Sequence, residues 1–204
     1  MKKNKTPFFL LLPTLLLALL SMSSNVWADK AIFAAGCFWC VESDFEKLDG
    51  VTEAISGFTG GTLKNPTYRG NHKGHYEAVE VHYDPSIVSY KELLAHYWVN
   101  VDPFDAKGQF CDKGFSYLSA IFVANDQENK LAEESRKIVE MKFPDKTVVT
   151  PILPVTTFYP IKGEESFHQD FYKKSSVRYN YYRYRCGRDY RLEELWGKSK
   201  TFNW

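Results

Sequence analysis

Apolar and polar positions along this chain change period several times, and the changes mark out its elements. Ala31-Ile32-Phe33-Ala34-Ala35 is a short unbroken apolar run, which predicts a buried strand. After Gly36 the spacing becomes helical, with Val41, Phe45 and Leu48 on one side, so a helix starts near Cys37. A loop rich in Gly, Thr and Asn is expected from Gly57 to Gly74. Glu77 to Tyr83 alternates with a period of two, which puts Glu77 on the same face as Val79, Val81 and Tyr83. Asp84-Pro85 ends that strand. Ser89 with Glu92 three residues later is a capping box, opening a helix with Leu93, Leu94 and Tyr97 inward, and Asp102-Pro103 breaks it. Ser119 to Ala124 predicts a strand. Asn125 or Asp126 caps a helix reaching about Lys142, Phe143-Pro144 stops it, and Val148-Val149 opens a further strand. From Phe158 onward tyrosines are frequent and periodicity is weak, apart from a late helical turn or two at Leu192 to Trp196. The pattern predicts one α+β domain over residues 29–204: a mixed sheet with helices packed on it and a long irregular C-terminal segment.

The first 28 residues read differently. Lys2, Lys3 and Lys5 precede an apolar run from Phe8 to Leu20, interrupted by Pro13 and Thr14, and Val26-Trp27-Ala28 offers a cleavage site before Asp29. This is the pattern of a signal peptide over residues 1–28; the alternative is a retained membrane anchor, for which the run is short. The expected location is therefore export, with the periplasm first and secretion or anchoring as alternatives. Loss of three lysines and no acid takes the net charge from +1 to −2, which removes any general attraction to nucleic acid or an anionic membrane. The mixed Arg and Tyr residues from Arg178 to Arg191 then read as packing tyrosines and a loop presenting Cys186, rather than as a stacking platform for bases.

Four cysteines in an exported chain ordinarily mean two structural disulfides. A domain of this size can build a core without them, which moves attention to reactivity. Cys37 lies at a strand-to-helix junction, where free backbone N–H groups and the helix dipole favour an anion, so it is expected to be partly thiolate near neutral pH. Its neighbours Phe38 and Trp39 can wall an apolar pocket. Gly36 lets other groups come close, which argues against an inert buried thiol. Cys40, three residues on, suits a redox partner; a zinc site with Cys111 and Cys186 is the competing reading, weakened by the presence of one Cys-x-x-Cys pair instead of two. Glu77 at the inward start of a strand is desolvated, which favours the protonated form that a general acid needs. Tyr68 and Tyr117 are candidate hydrogen-bond donors, each otherwise a packing residue. Asp112, in Asp112-Lys113-Gly114, is by default a turn residue, and Cys111 beside it has no assigned role.

Gly36-Cys37-Phe38-Trp39, Gly60-Gly61, Asn65-Pro66-Thr67-Tyr68-Arg69, Gly74-His75-Tyr76-Glu77-Ala78-Val79, Asp84-Pro85 and His168-Gln169-Asp170 occur in this order. In that order the chain resembles the type A methionine sulfoxide reductases over nearly all of residues 29–204. The resemblance implies a two-layer fold related to the ferredoxin-like plait and reduction of the S-epimer of methionine sulfoxide, in proteins and free, without a cofactor or metal. It implies that Cys37 attacks the sulfoxide and that Phe38 and Trp39 hold the methyl group. Glu77 protonates the oxygen, Tyr68 and Tyr117 donate to it, and Asp112 positions water or substrate. Cys186 is the favoured resolving cysteine, Cys40 the less favoured one, and thioredoxin or a similar dithiol protein the expected reductant of a monomeric enzyme. His168 matches a motif position without an assigned role. The chemistry agrees: a thiol sulfur that takes oxygen becomes a sulfenic acid, which a second thiol converts to a disulfide. The competing function is a thioredoxin-type disulfide oxidoreductase working through Cys37 and Cys40.

Overall fold

The structure, a computed structural model, describes residue 1 and residues 29–204. The expected signal peptide lies outside the described residues. The fold is organised by a sheet whose central strands carry apolar side chains on both faces. Strand β1 (Asp29–Ala35) has five consecutive buried residues, Ala31 to Ala35. It pairs antiparallel with β3 (Tyr76–Tyr83) on one side and with β6 (Ser119–Val123) on the other. β2 (Val51–Thr59) pairs antiparallel with β3, and helices α1 (Phe38–Phe45) and α2 (Tyr90–Trp98) join β1 to β2 and β3 to β6. The order β6-β1-β3-β2 with two crossing helices is the ferredoxin-like plait that the resemblance implies. Short β7 (Ile152–Pro154) adds in parallel beside β6, and β8 (Tyr159–Pro160) adds beside β2, so the sheet is mixed and six-stranded. A two-stranded ribbon, β4 (Gly108–Gln109) and β5 (Asp112–Lys113), stands apart from it.

The larger core lies between the sheet and its helices, where Phe33, Val79 and Val81 meet Val41 and Phe45 of α1 and Leu93, Leu94 and Tyr97 of α2. Phe33 stacks on Phe45 at 4.9 Å and on Tyr97 at 5.3 Å between ring centres. The capping box of Ser89 and Glu92 is formed, and Asn125 caps α3 (Asp126–Lys142). Within α3, Ser135 accepts the indole proton of the fully buried Trp98 at 2.8 Å.

Three local expectations are corrected. The Gly-rich loop begins at Gly60 instead of Gly57, because Gly57 is a strand residue. A side chain there would meet the Tyr159 carbonyl oxygen at 2.5 Å, so glycine is what lets β8 dock. Val148 and Val149 are not a strand: the Val149 N–H goes to the Pro103 carbonyl, and pairing with β6 starts only after Pro151. The C-terminal segment is helical instead of irregular, with α4 (Phe171–Lys174), α5 (Ser176–Arg185) and α6 (Arg188–Trp196). α5 has no aliphatic stripe; Tyr179 and Tyr182 pack it on Cys40 and Phe171, and ion pairs add to the hold. Arg183 reaches Asp44 at 2.8 Å and Asp189 at 2.6 Å, while Tyr181 and Tyr184 point to solvent.

Gly36 links β1 to α1 with φ of +83°, and a Cβ there would lie 2.6 Å from the Gln109 Cβ. Gln109 is in turn fixed to both backbone groups of Asp102. Gly36→Ala is therefore expected to lower stability by about 2–4 kcal/mol, from the left-handed backbone and overpacking together. Chemical denaturation measures this, and a loss under 1 kcal/mol would mean that the junction is looser than described.

Candidate active site

Cys37 caps α1 from outside the helix, with φ −51° and ψ 118°, and accepts the first helical N–H groups on its carbonyl. Glu77 projects from the start of β3 toward the same end of α1. Its side chain is 1% exposed, and Oε2 accepts the Phe38 backbone N–H at 3.1 Å. Oε1 is buried with no hydrogen-bond partner among the described residues. Burial raises the carboxyl to about 8, against the lowering effect of the Phe38 N–H. Glu77 therefore carries its proton near neutral pH, as its place on the apolar strand face predicts, and the orphaned Oε1 is the oxygen free to present it.

The expectation for Cys37 needs correction. Burial is the largest influence and pushes its thiol up, and the charges of Cys40 and Glu77 add to this. The helix terminus does not compensate because its first N–H is already committed to Glu77. Cys40 moves the other way, lowered chiefly by its interaction with Cys37, with Arg188 and Arg183 also favouring its ionised form. The two sulfurs are both buried and free, and each shifts the other, so protons leave them as a pair rather than from either thiol alone.

Around this pair the sequence candidates converge. Phe38 is fully buried, and its ring lies 5.9 Å from Tyr68 and 6.0 Å from Phe58. The Tyr68 and Tyr117 phenols are both pushed up by burial and by the Glu77 and Cys37 charges, Tyr68 to about 12, so both stay protonated donors facing the site. Tyr68 stands where Glu165 puts it, since that carboxylate accepts the Tyr68 and Arg69 N–H groups at 2.8 Å each. Asp112, in β5, accepts a hydrogen bond from the Tyr182 hydroxyl.

Four features escape the sequence reading. His168 accepts the Trp39 indole N–H at 3.0 Å and lies against Tyr68 with ring centres 4.0 Å apart, tilted by 45°. Gln169 pairs with both backbone groups of Ser56, and Glu42 on α1 accepts the Asp170 N–H and the Ser56 hydroxyl. Arg188, fully buried, donates to the carbonyls of Ala35 and Asn100 beside the β1–α1 junction. Tyr182 packs edge-on against Trp39 and donates its hydroxyl proton to Asp112, next to the Cys37 thiol. Reading α5 as a helix would have put Tyr182 and Cys186 on one face and exposed the last of these links.

Cys186 is not in a loop: it ends α5, Gly187 turns the chain at φ +68°, and its sulfur is bonded to Cys111. This disulfide gives Cys111 a partner, and it consumes two of the four thiolates that a zinc site would need. Glu42, Glu46 and Asp170 lie within 4.8 Å of one another, but the Lys173 ammonium bridges Glu46 at 2.5 Å and Asp170 at 2.8 Å.

Residues 29–200 match the family model described as peptide methionine sulfoxide reductase. Curated relatives include peptide methionine sulfoxide reductase MsrA 2 of Caulobacter vibrioides, 48% identical over 83% of this chain and 86% of its own. MsrA of Halalkalibacterium halodurans is 44% identical over 83% of this chain and 97% of its own. Among solved structures, methionine sulfoxide reductase A of Corynebacterium diphtheriae superposes with a TM-score of 0.65 at 32% identity, covering 74% of this chain and 76% of that one. Reduced Mxr1 of Saccharomyces cerevisiae, at 24% identity and a TM-score of 0.66 over 74% of this chain and 87% of its own, shares the fold.

A proton held by Glu77 in the folded state is bound more weakly once the chain unfolds. Its stabilising effect is complete below the ordinary carboxyl range and is lost as pH rises through about 8. Wild-type stability should thus fall relative to Glu77→Gln across that interval, in denaturation measured at several pH values. Parallel curves for the two proteins would place the carboxyl at its ordinary value.

Proposed function

Because this chain belongs to the peptide methionine sulfoxide reductase family, we propose that Cys37, Glu77 and the rings around them divide the work of removing oxygen from a methionine sulfoxide side chain. The protein is an oxidoreductase that reduces methionine sulfoxide to methionine by thiol chemistry. The observation that carries the residue assignment is the buried Glu77 carboxyl, with one oxygen held by Phe38 N–H and the other without a partner among the described residues.

A sulfoxide oxygen leaves sulfur readily only when its growing charge is neutralised. Glu77 Oε1 supplies the proton, and the Tyr68 and Tyr117 hydroxyls donate to the same oxygen. Phe38 and Trp39 receive the methyl group, with the Trp39 ring oriented by His168. A methyl pocket on one side and donors on the other accept one arrangement about the sulfur, which supports selection of the S-epimer. The Cys37 sulfur attacks, passes its proton to the Cys40 sulfur, whose ionised form its surroundings favour, and ends as a sulfenic acid carrying the sulfoxide oxygen and the Glu77 proton, while the substrate sulfur gains two electrons. Asp112, beside Tyr182, fits a role in holding water or the substrate main chain.

The resolving thiol is Cys40 in this reading. It is buried and free like Cys37, which lies just outside the helix and can turn toward it, whereas Cys186 is engaged with Cys111. Condensation of the sulfenic acid with the Cys40 thiol releases water and forms the Cys37–Cys40 disulfide. A thioredoxin-like dithiol then reduces it by exchange. An oxidising compartment suits both the Cys111–Cys186 bond and the basic-apolar start of the chain, so export is part of the proposal.

Fully reduced protein with dithiothreitol should reduce the S-epimer of a blocked methionine sulfoxide, and Cys37→Ser should give no turnover. Glu77→Gln should slow single-turnover oxygen transfer by roughly 10²- to 10⁴-fold with substrate binding little changed. An unchanged rate removes Glu77 as the acid. Peptide mass mapping after one turnover should find Cys37 joined to Cys40; a Cys37–Cys186 link would instead give Cys186 the resolving role.

A further inference from the structure

The C-terminal helix does something at this site that oxygen transfer itself does not require. Cys37 and Glu77 are 8% and 1% exposed, so a methionine sulfoxide side chain has no open way to the sulfur. Beside it stands Tyr182, whose ring is edge-on to Trp39 and whose hydroxyl donates to the Asp112 carboxylate, near enough to the Cys37 thiol for the two to shift each other. These are the wall of the methyl pocket, the nucleophile and a polar group at the rim. Tyr182 thus occupies the space that the proposed substrate needs. One helical turn further along the same face of α5 comes Cys186, and its disulfide partner Cys111 is adjacent in sequence to Asp112. The ribbon of β4 and β5 and the end of α5 are therefore fastened together at two neighbouring points, one covalent and one a hydrogen bond. Cys111 is exposed, so the covalent fastening is open to an external reagent while the Cys37–Cys40 pair is not.

We propose that the Cys111–Cys186 disulfide is a redox latch on substrate entry, which holds α5 with Tyr182 plugged into the methyl pocket and opens when an external dithiol reduces it. The inference rests on the sulfoxide-reductase reading of the same site and adds its regulation. In the opening step the sulfur–sulfur bond breaks, both cysteines take up an electron and a proton, and the dithiol becomes a disulfide. What then joins α5 to the ribbon is noncovalent, with the Tyr182 hydroxyl on Asp112 at its centre, and an entering sulfoxide can displace it. The latch ties substrate admission to the supply of reductant: where no dithiol is available to regenerate the enzyme, the pocket stays shut.

The latched form retains two free thiols at Cys37 and Cys40, so it holds everything needed to yield one methionine if access is the sole obstacle. The test compares the rate of that first methionine, by rapid quench without added reductant, between two preparations of the full chain. One carries the mapped Cys111–Cys186 bond and the other is fully reduced. The latched form should be at least tenfold slower. Tyr182→Ala, with the disulfide intact, should bring its rate to within about threefold of the reduced protein, and Cys111→Ser should be fast under either treatment. Equal rates for the two wild-type preparations overturn the latch, as does a Tyr182→Ala protein that remains slow while disulfide-bonded and folded. Failure of the fully reduced wild type to yield methionine would instead count against the sulfoxide-reductase reading itself.

Discussion

The arrangement depends on one hydrogen bond between a helix start and a strand start. The first free N–H of α1 would ordinarily attract the nearest anion, and the Cys37 sulfur is the obvious candidate. It goes instead to Glu77 Oε2, from a strand two positions away in the sequence order of elements but side by side with β1 in the sheet. This choice fixes the carboxyl in an apolar setting, leaves its other oxygen free, and deprives the thiol of the helix terminus. Burial governs both groups: it outweighs the Phe38 N–H and keeps Glu77 protonated, and it pushes the Cys37 thiol up as well.

Positioning around that bond comes from elements that touch no substrate. The 3₁₀ segment at residues 163–168 and the turn after it contribute Glu165 to the Tyr68 backbone, His168 to the Trp39 ring, Gln169 to Ser56 and the Asp170 N–H to Glu42. One short stretch thus braces α1, β2 and the Gly-rich loop against each other. Arg188 and Arg183 brace the far side by converging on Asp44 at the end of α1.

Much of this was readable from residues alone where the physics is local. Period-two alternation put Glu77 inside, the Ser89–Glu92 spacing gave the α2 cap, and Gly36-Cys37 marked the strand-to-helix junction. The protonation state of Cys37 was not readable, because it depends on where the Phe38 N–H points in three dimensions. Nor was α5, which carries no aliphatic stripe to recognise. The Cys111–Cys186 bond joins residues separated by 75 positions, and spacing in the chain says nothing about such a pairing.

The grip of Glu165 on two successive N–H groups has a consequence for variation among relatives of this chain. Leu63 is pinned through its carbonyl to His75, and the Thr67 N–H to Asn71, so the register of Tyr68 is set on both sides. The exposed Lys64 and Asn65 between them carry no such duty, so insertions at those two positions can bulge into solvent while the register of Tyr68 is kept.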